Sequence, residues 1–160
     1  MIRIARHTDY GVRLVLHLAC LPPDAQVSIG EVAEQRLLPI PFVRRMVGRL
    51  VKAGILSTSR GSGGGIKLAR PASQISMGDV VRAMEGKLAL NHCVSHPRTC
   101  PFSDGCPVQV AWTRISQALE QELDATRFDA LARGTKGHAS AHVQLTKAKP
   151  SRPASRKPPR

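Results

Sequence analysis

The sequence predicts a mainly α-helical fold: a winged helix-turn-helix with a two-stranded wing, a long helix suited to dimerisation, and a disordered basic C-terminal tail. Three observations carry this. Ser28-Ile29-Gly30-Glu31 opens a short helix, which the turn Leu37-Leu38-Pro39-Ile40 separates from a longer one with a basic outer face. Two β-type stretches, 55–59 and 66–69, bracket the Gly-dense segment Arg60-Gly61-Ser62-Gly63-Gly64-Gly65. From Pro107 onward, Val108, Ala111, Trp112, Ile115, Ala118, Leu119 and Leu123 recur at three- and four-residue spacing.

The first helix is expected over 8–20, where Val12, Val15, Leu16, Leu18 and Ala19 share a face. Thr8 or Asp9 is placed to cap it. Cys20 reads as a buried small apolar residue at its end, and Pro22-Pro23-Asp24 breaks the chain. Ser28 with Glu31 three residues later fits a capping box for a helix over 29–36. Pro41 suits the first position of the following helix, 41–53, which turns Phe42, Val43, Met46, Val47, Leu50 and Val51 inward. Gly54 fits its C-terminal cap. Arg44, Arg45, Arg49 and Lys52 fall on or near the other face. The glycines of the wing let backbone approach DNA closely. They are not a phosphate-binding loop, because the lysine and hydroxyl of that motif are missing and a strand follows. Ser76-Met77-Gly78-Asp79 starts a helix over 76–86, and the Pro107 helix runs over 107–127.

At 160 residues the chain is one domain plus a tail: 1–132 folded and 133–160 disordered. The net charge of +13 points to a polyanionic partner. Eight basic residues and no acid lie in 133–160, a stretch rich in Pro, Ser and Ala without apolar periodicity. Eight more, again without an acid, lie in 36–70, where the patterning is that of a folded domain. No apolar run is long enough to span a bilayer and no signal-peptide pattern opens the chain, so a cytoplasmic protein without membrane attachment is expected.

Cys93, Cys100 and Cys106 lie in a Pro- and Gly-containing loop, 92–107, of an otherwise Cys-poor chain. Gaps of six and five residues are not the paired Cys-x-x-Cys of zinc ribbons. Three closely spaced thiolates suit an iron–sulfur cluster, with zinc and a disulfide switch as the other readings. Cys106 falls at the start of the long helix, whose dipole favours thiolate. A tetrahedral site needs a fourth ligand, for which His92, His96, Asp104 and Asp9 are candidates.

Thr8-Asp9-Tyr10-Gly11-Val12-Arg13, Ser28-Ile29-Gly30-Glu31-Val32-Ala33, the wing Arg60–Ile66, Ile75-Ser76-Met77-Gly78-Asp79-Val80-Val81 and the three cysteines together resemble the Rrf-type winged-helix iron–sulfur regulators. The resemblance covers about residues 1–130. Within the group it is nearest the nitric-oxide-sensing NsrR type, with the iron-responsive RirA and the IscR types as related alternatives. Thr8-Asp9-Tyr10, Asn91-His92-Cys93 and the stretch 123–131 carry that preference. The six-residue gap after Cys93 is wider than NsrR often has and leans toward RirA. Val108-Gln109-Val110 stands where IscR carries its histidine ligand.

The resemblance implies a non-enzymatic, homodimeric repressor of a palindromic double-stranded operator. Its Cys93, Cys100 and Cys106 would hold a cluster, 4Fe–4S in preference to 2Fe–2S, with Asp9 of the partner subunit as fourth ligand and nitric oxide as signal. Arg44 and Arg45 are expected at base edges. Arg49, Lys52 and Lys67 are expected at phosphate, Arg60 in the minor groove, and Ser28 and Pro41 at the DNA surface. Val108, Ala111, Trp112, Ile115 and Leu119 would form the dimer seam. A zinc-stabilised DNA-binding module and a cluster carrier are the remaining alternatives.

Overall fold

The computed structural model describes residues 3–61, 64–102 and 105–135. Helix α1 spans Arg6–Ala19, α2 Ile29–Arg36 and α3 Ile40–Lys52. Strands β1 (Leu56–Thr58) and β2 (Ile66–Leu68) form an antiparallel pair in which Ser57 faces Lys67. A 3-10 turn at Ala72–Gln74 leads to α4 (Met77–Glu85). The short α5 (His92–Ser95) and a second 3-10 turn (Pro97–Thr99) precede α6 (Pro107–Ala125) and α7 (Phe128–Thr135). The predicted mainly helical fold with a two-stranded wing is the one observed.

Packing follows the apolar spacing. Helix α3 buries Val43, Met46, Val47 and Leu50, four positions on one stripe. These meet Leu14, Val15 and Leu18 of α1, Val32 and Ala33 of α2, Val80 and Met84 of α4, and Ile55, Leu56 and Ile66 around the wing. At the base of the hairpin Val27 pairs with Ile66. Gly65 is required there, since a Cβ would come within 2.6 Å of the Val27 carbonyl oxygen. Gly54 follows α3 with φ +67°, as expected of its cap.

Several local expectations are corrected. Helix α1 starts at Arg6, its N-cap is Ala5, and no side chain caps it. Thr8 therefore lies inside the helix, fully buried, with its hydroxyl unpartnered, and Asp9 sits in the first turn paired with Arg13 at 2.8 Å. Cys20 is exposed, because it falls just past the helix end, where its face has turned away from the core. Ser28 does accept from the Glu31 backbone N–H at 3.0 Å, but the Glu31 carboxylate turns to Gln35. The reciprocal capping box is found instead at Ser76 and Asp79. Pro41 stands second in α3, after Ile40.

The largest departure is at the C-terminal end. The long helix stops at Ala125, and Ser76 and Arg127 form an isolated bridge. Helix α7 then returns Phe128 to the core with no exposed surface. Arg133, placed in the expected tail, belongs to α7 and pairs with Asp129 at 2.8 Å. The rest of the tail, 136–160, lies outside the described residues.

Candidate functional site

Two regions carry the candidate site residues. The first is the outer face of α2, α3 and the wing. Ser28, Pro41, Arg44, Arg45, Lys52 and Arg60 are all exposed there. Leu37, in the turn between α2 and α3, is 91% exposed and adopts φ +52°, the left-handed region. Two of the predicted DNA-contacting cations have internal partners. Arg49 Nη1 donates to the Met84 carbonyl oxygen at 2.6 Å, which ties α3 to the end of α4. Lys67 Nζ donates to Asp24 Oδ1 at 2.8 Å.

The second region is the thiol loop. Cys93 lies in α5, Cys100 follows the second 3-10 turn, and Cys106 is the N-cap of α6. All three are half-buried and none forms a disulfide. The Asn91 side chain accepts from the His92 N–H at 2.7 Å and so starts α5. Gln109 Nε2 donates to the Cys93 carbonyl oxygen at 2.8 Å, fixing the loop to the first turn of α6. The rings of His92 and His96 stack with centroids 4.8 Å apart on the exposed side. Asp104 lies outside the described residues.

The donor chemistry fits a thiophilic metal group: three soft sulfur ligands on one loop, at the partly buried end of a 19-residue helix. Among the described residues, no three Cys, His, Asp or Glu side chains stand close enough to hold a metal ion in the isolated chain. Loading would therefore require the loop to draw its thiols together. Asp9 is exposed on α1, where its carboxylate pairs with Arg13.

Helix α6 carries the predicted dimer seam. Ala111, Trp112 and Leu119 are half-buried, whereas Val108 is 59% and Ile115 46% exposed. Ser116 is the one described α6 residue fully inside. Its hydroxyl donates to the Trp112 carbonyl and accepts from the Leu90 N–H at 3.2 Å, stitching the segment before the loop to the helix.

A clasp that sequence reading missed joins α6 to α4. Arg82 holds Asp124 with both terminal nitrogens, at 2.6 and 3.0 Å, and reaches Asp79 at 3.1 Å. Arg70 also binds Asp79, at 3.0 Å. The Arg82 hydrogen bond holds the Asp124 carboxyl below its ordinary range. At Asp79 partial burial acts upward, but hydrogen bonds from Ser76 and Arg82 outweigh it and the net shift is downward. The two carboxylates push the Arg82 guanidinium up, chiefly through the Asp124 hydrogen bond. An Asp and an Arg 42 residues apart leave no periodic signal; only the Ser76–Asp79 spacing was readable.

No described helix is long and apolar enough to cross a membrane. Residues 4–134 match the Rrf2 family, described as iron-dependent transcriptional regulators. Among solved structures, the chain is 26% identical to CymR (YrzC), the global cysteine regulator of B. subtilis. That match covers 85% of this chain and all of the other, with a TM-score of 0.70. The oxidised form of Staphylococcus aureus CymR is 30% identical over 82% of this chain and 96% of its own, with a TM-score of 0.64. IscR of T. potens, at 24% identity and a TM-score of 0.68 over 86% of this chain and 91% of its own, shares the fold. With a winged helix, a basic reading face and a match over most of its length, the chain is a DNA-binding transcriptional regulator rather than an enzyme, and it belongs to the Rrf2 family.

Proposed function

We propose that the chain is a homodimeric repressor whose thiol loop holds an iron–sulfur cluster, 4Fe–4S in preference to 2Fe–2S, and that nitric oxide is its signal. The observation that carries this is the position of the three thiols. They sit on one loop between the DNA-reading body and the exposed seam of α6. Cys93, Cys100 and Cys106 would hold the group, with Asp9 of the partner subunit completing it. When bound, the cluster supplies an iron with one weaker, exchangeable ligand, open to a small reactive molecule.

The chain's own residues supply the linkage. Helix α4 is gripped from two sides: Arg82 binds Asp124 of α6, and the Met84 carbonyl near its end accepts from Arg49 of the recognition helix. Glu85 also accepts from the Ala5 N–H at 3.0 Å, anchoring the start of α1. A shift of α6 as the loop gathers or releases its thiols is thus passed through α4 to α3. In a dimer that sets the separation of two recognition helices, which must match half-sites about 34–36 Å apart. Arg44 and Arg45 read base edges; Lys52, with Arg49 and Lys67 once released, meets phosphate; Arg60 enters the minor groove.

A second reading, an iron- or redox-responsive regulator of the RirA or IscR type, is favoured by the six-residue gap after Cys93. One experiment separates them. Protein purified without oxygen is expected to be brown and to bind its operator. Titrating it with nitric oxide should release DNA, whereas release by an iron chelator alone supports the second reading. Colourless protein with one zinc per chain would sink both.

A further inference from the structure

We infer that the cavity at the base of the wing is a binding site for a small aliphatic amino acid, which acts on DNA binding through Lys67. The cavity has a volume of about 550 Å³ and lies between the end of α1, the 21–25 turn and the wing strands. That is within the range of roughly 300–1,000 Å³ usual for small-molecule sites. Its walls are largely apolar, with Leu18, Leu21, Leu68 and Ala72 among them. Three charged residues also line it: Asp24 and Lys67, joined at 2.8 Å, and Arg70, which is held by Asp79.

Several features show that this rim is built rather than incidental. Asp24 holds φ +63°, a backbone conformation that only Leu37 shares among the described non-glycine residues. The segment beyond it is stapled to the wing: Val27 exchanges backbone hydrogen bonds with Ile66, and Ser59 donates to Gln26 at 2.6 Å. Ser57 stands beside Lys67 across the strand pair, on the same lining. Arg70, also on the wall, is anchored through Asp79 to the α4 clasp.

The charge arrangement selects the ligand class. A lone anion taking Lys67 would strip Asp24 of its partner, and a lone cation taking Asp24 would strip Lys67. A zwitterion offers each half of this exposed ion pair an opposite charge in place of the one it gives up. Its carboxylate would meet Lys67 beside Ser57, its ammonium Asp24, and an aliphatic side chain the apolar wall. A ligand carboxylate on Lys67 keeps that cation from phosphate, so occupancy weakens operator binding. This proposal does not rest on the thiol loop.

The test is calorimetric titration of the full chain with L-leucine, with isocaproate, which lacks the amine, and with isoamylamine, which lacks the carboxylate. Leucine is expected to bind, and each analogue roughly tenfold or more weakly, a charge-assisted contact having been lost from each. Asp24→Asn keeps a residue that tolerates the left-handed backbone. It should weaken leucine to the level of isocaproate and leave isocaproate unchanged. Ala72→Phe, which fills the wall, should abolish leucine binding while the thermal melt stays cooperative. Saturating leucine should weaken operator binding by the wild type and not by Asp24→Asn. Failure of leucine, valine and methionine all to bind, or equal affinity of leucine for wild type and Asp24→Asn, overturns the assignment. Loss of nitric-oxide or chelator response in the same preparations bears on the thiol loop alone.

Discussion

Helix α3 buries four of its 13 residues, whereas α6, with 19, buries Ser116 alone. The contrast extends to the regions around them. Among the described residues, no member of the apolar core lies between Met84 and Phe128. The DNA-reading body is therefore finished within one chain. The loop and the long helix are not: Val108 and Ile115 of their apolar seam face outward and, among the described residues, their thiols are ungathered. A region that a single chain leaves incomplete is one whose conformation a partner subunit and a bound group can set. That is a property a sensor needs and a DNA-reading scaffold must avoid.

The strongest way to break this comparison is to cut into each region equally. Leu50→Ala, at a fully buried site, is expected to cost about 2–5 kcal/mol in denaturant unfolding. Ile115→Ala should change the stability of dilute, monomeric protein by less than about 0.5 kcal/mol. It should instead weaken self-association, read by analytical ultracentrifugation. If Ile115→Ala unfolds the monomer as Leu50→Ala does, the two regions do not differ as described.

Gly78→Ala comes next, because a Cβ there would overlap the Asp124 carboxylate. Its expected cost is about 1–3 kcal/mol. Since it and Asp124→Asn act on the same clasp, their costs should sum to less than additive in a double-mutant cycle. Full additivity would show that Gly78 and Asp124 act apart.

Asp124→Asn alone is expected to cost about 1 kcal/mol, since the pair with Arg82 is partly exposed. Its pH dependence is sharper. A carboxyl held below its ordinary value stabilises the fold fully above the unfolded value of about 3.9. That contribution fades as pH falls through the lower folded value. The difference in melting temperature between wild type and Asp124→Asn should therefore be constant near neutrality and shrink below about pH 4. A difference that widens in acid would contradict the ion-pair origin.

The smallest effect is expected at Leu37→Gly. Glycine relieves the left-handed backbone but loosens the unfolded chain, for a net gain of about 0.5 kcal/mol. Little burial is lost, because Leu37 is almost wholly exposed. A large loss would reveal a contact that the free chain does not display.

What could be read from sequence divides along the same line. The winged helix was legible because local signals there agree with the packing: apolar residues on one stripe of α3, a Ser N-cap for α2, glycines at the hairpin. The apolar stripe of α6 was also legible, but not which of its residues face outward. Periodicity reports a face and not what covers it. Helix α7 was hidden behind a break at Thr126 that no Pro or Gly marks. The Arg82–Asp124 clasp depends on chain return and has no local signature. Thr8 and Cys20 were misplaced because shifts of two residues at the start of α1 and one at its end turn a cap into a core position and a core position into a surface one.

That surface cysteine has a practical use. Cys20 is a thiol outside the loop, exposed and on a different element from Cys93, Cys100 and Cys106. In an alkylation time course read by peptide mass, it is an internal reference. It should label at the same rate whether or not the loop is loaded, because reactivity follows exposure and thiolate character at each site. The ratio of loop labelling to Cys20 labelling then reports loop occupancy directly, independent of protein concentration or reagent age.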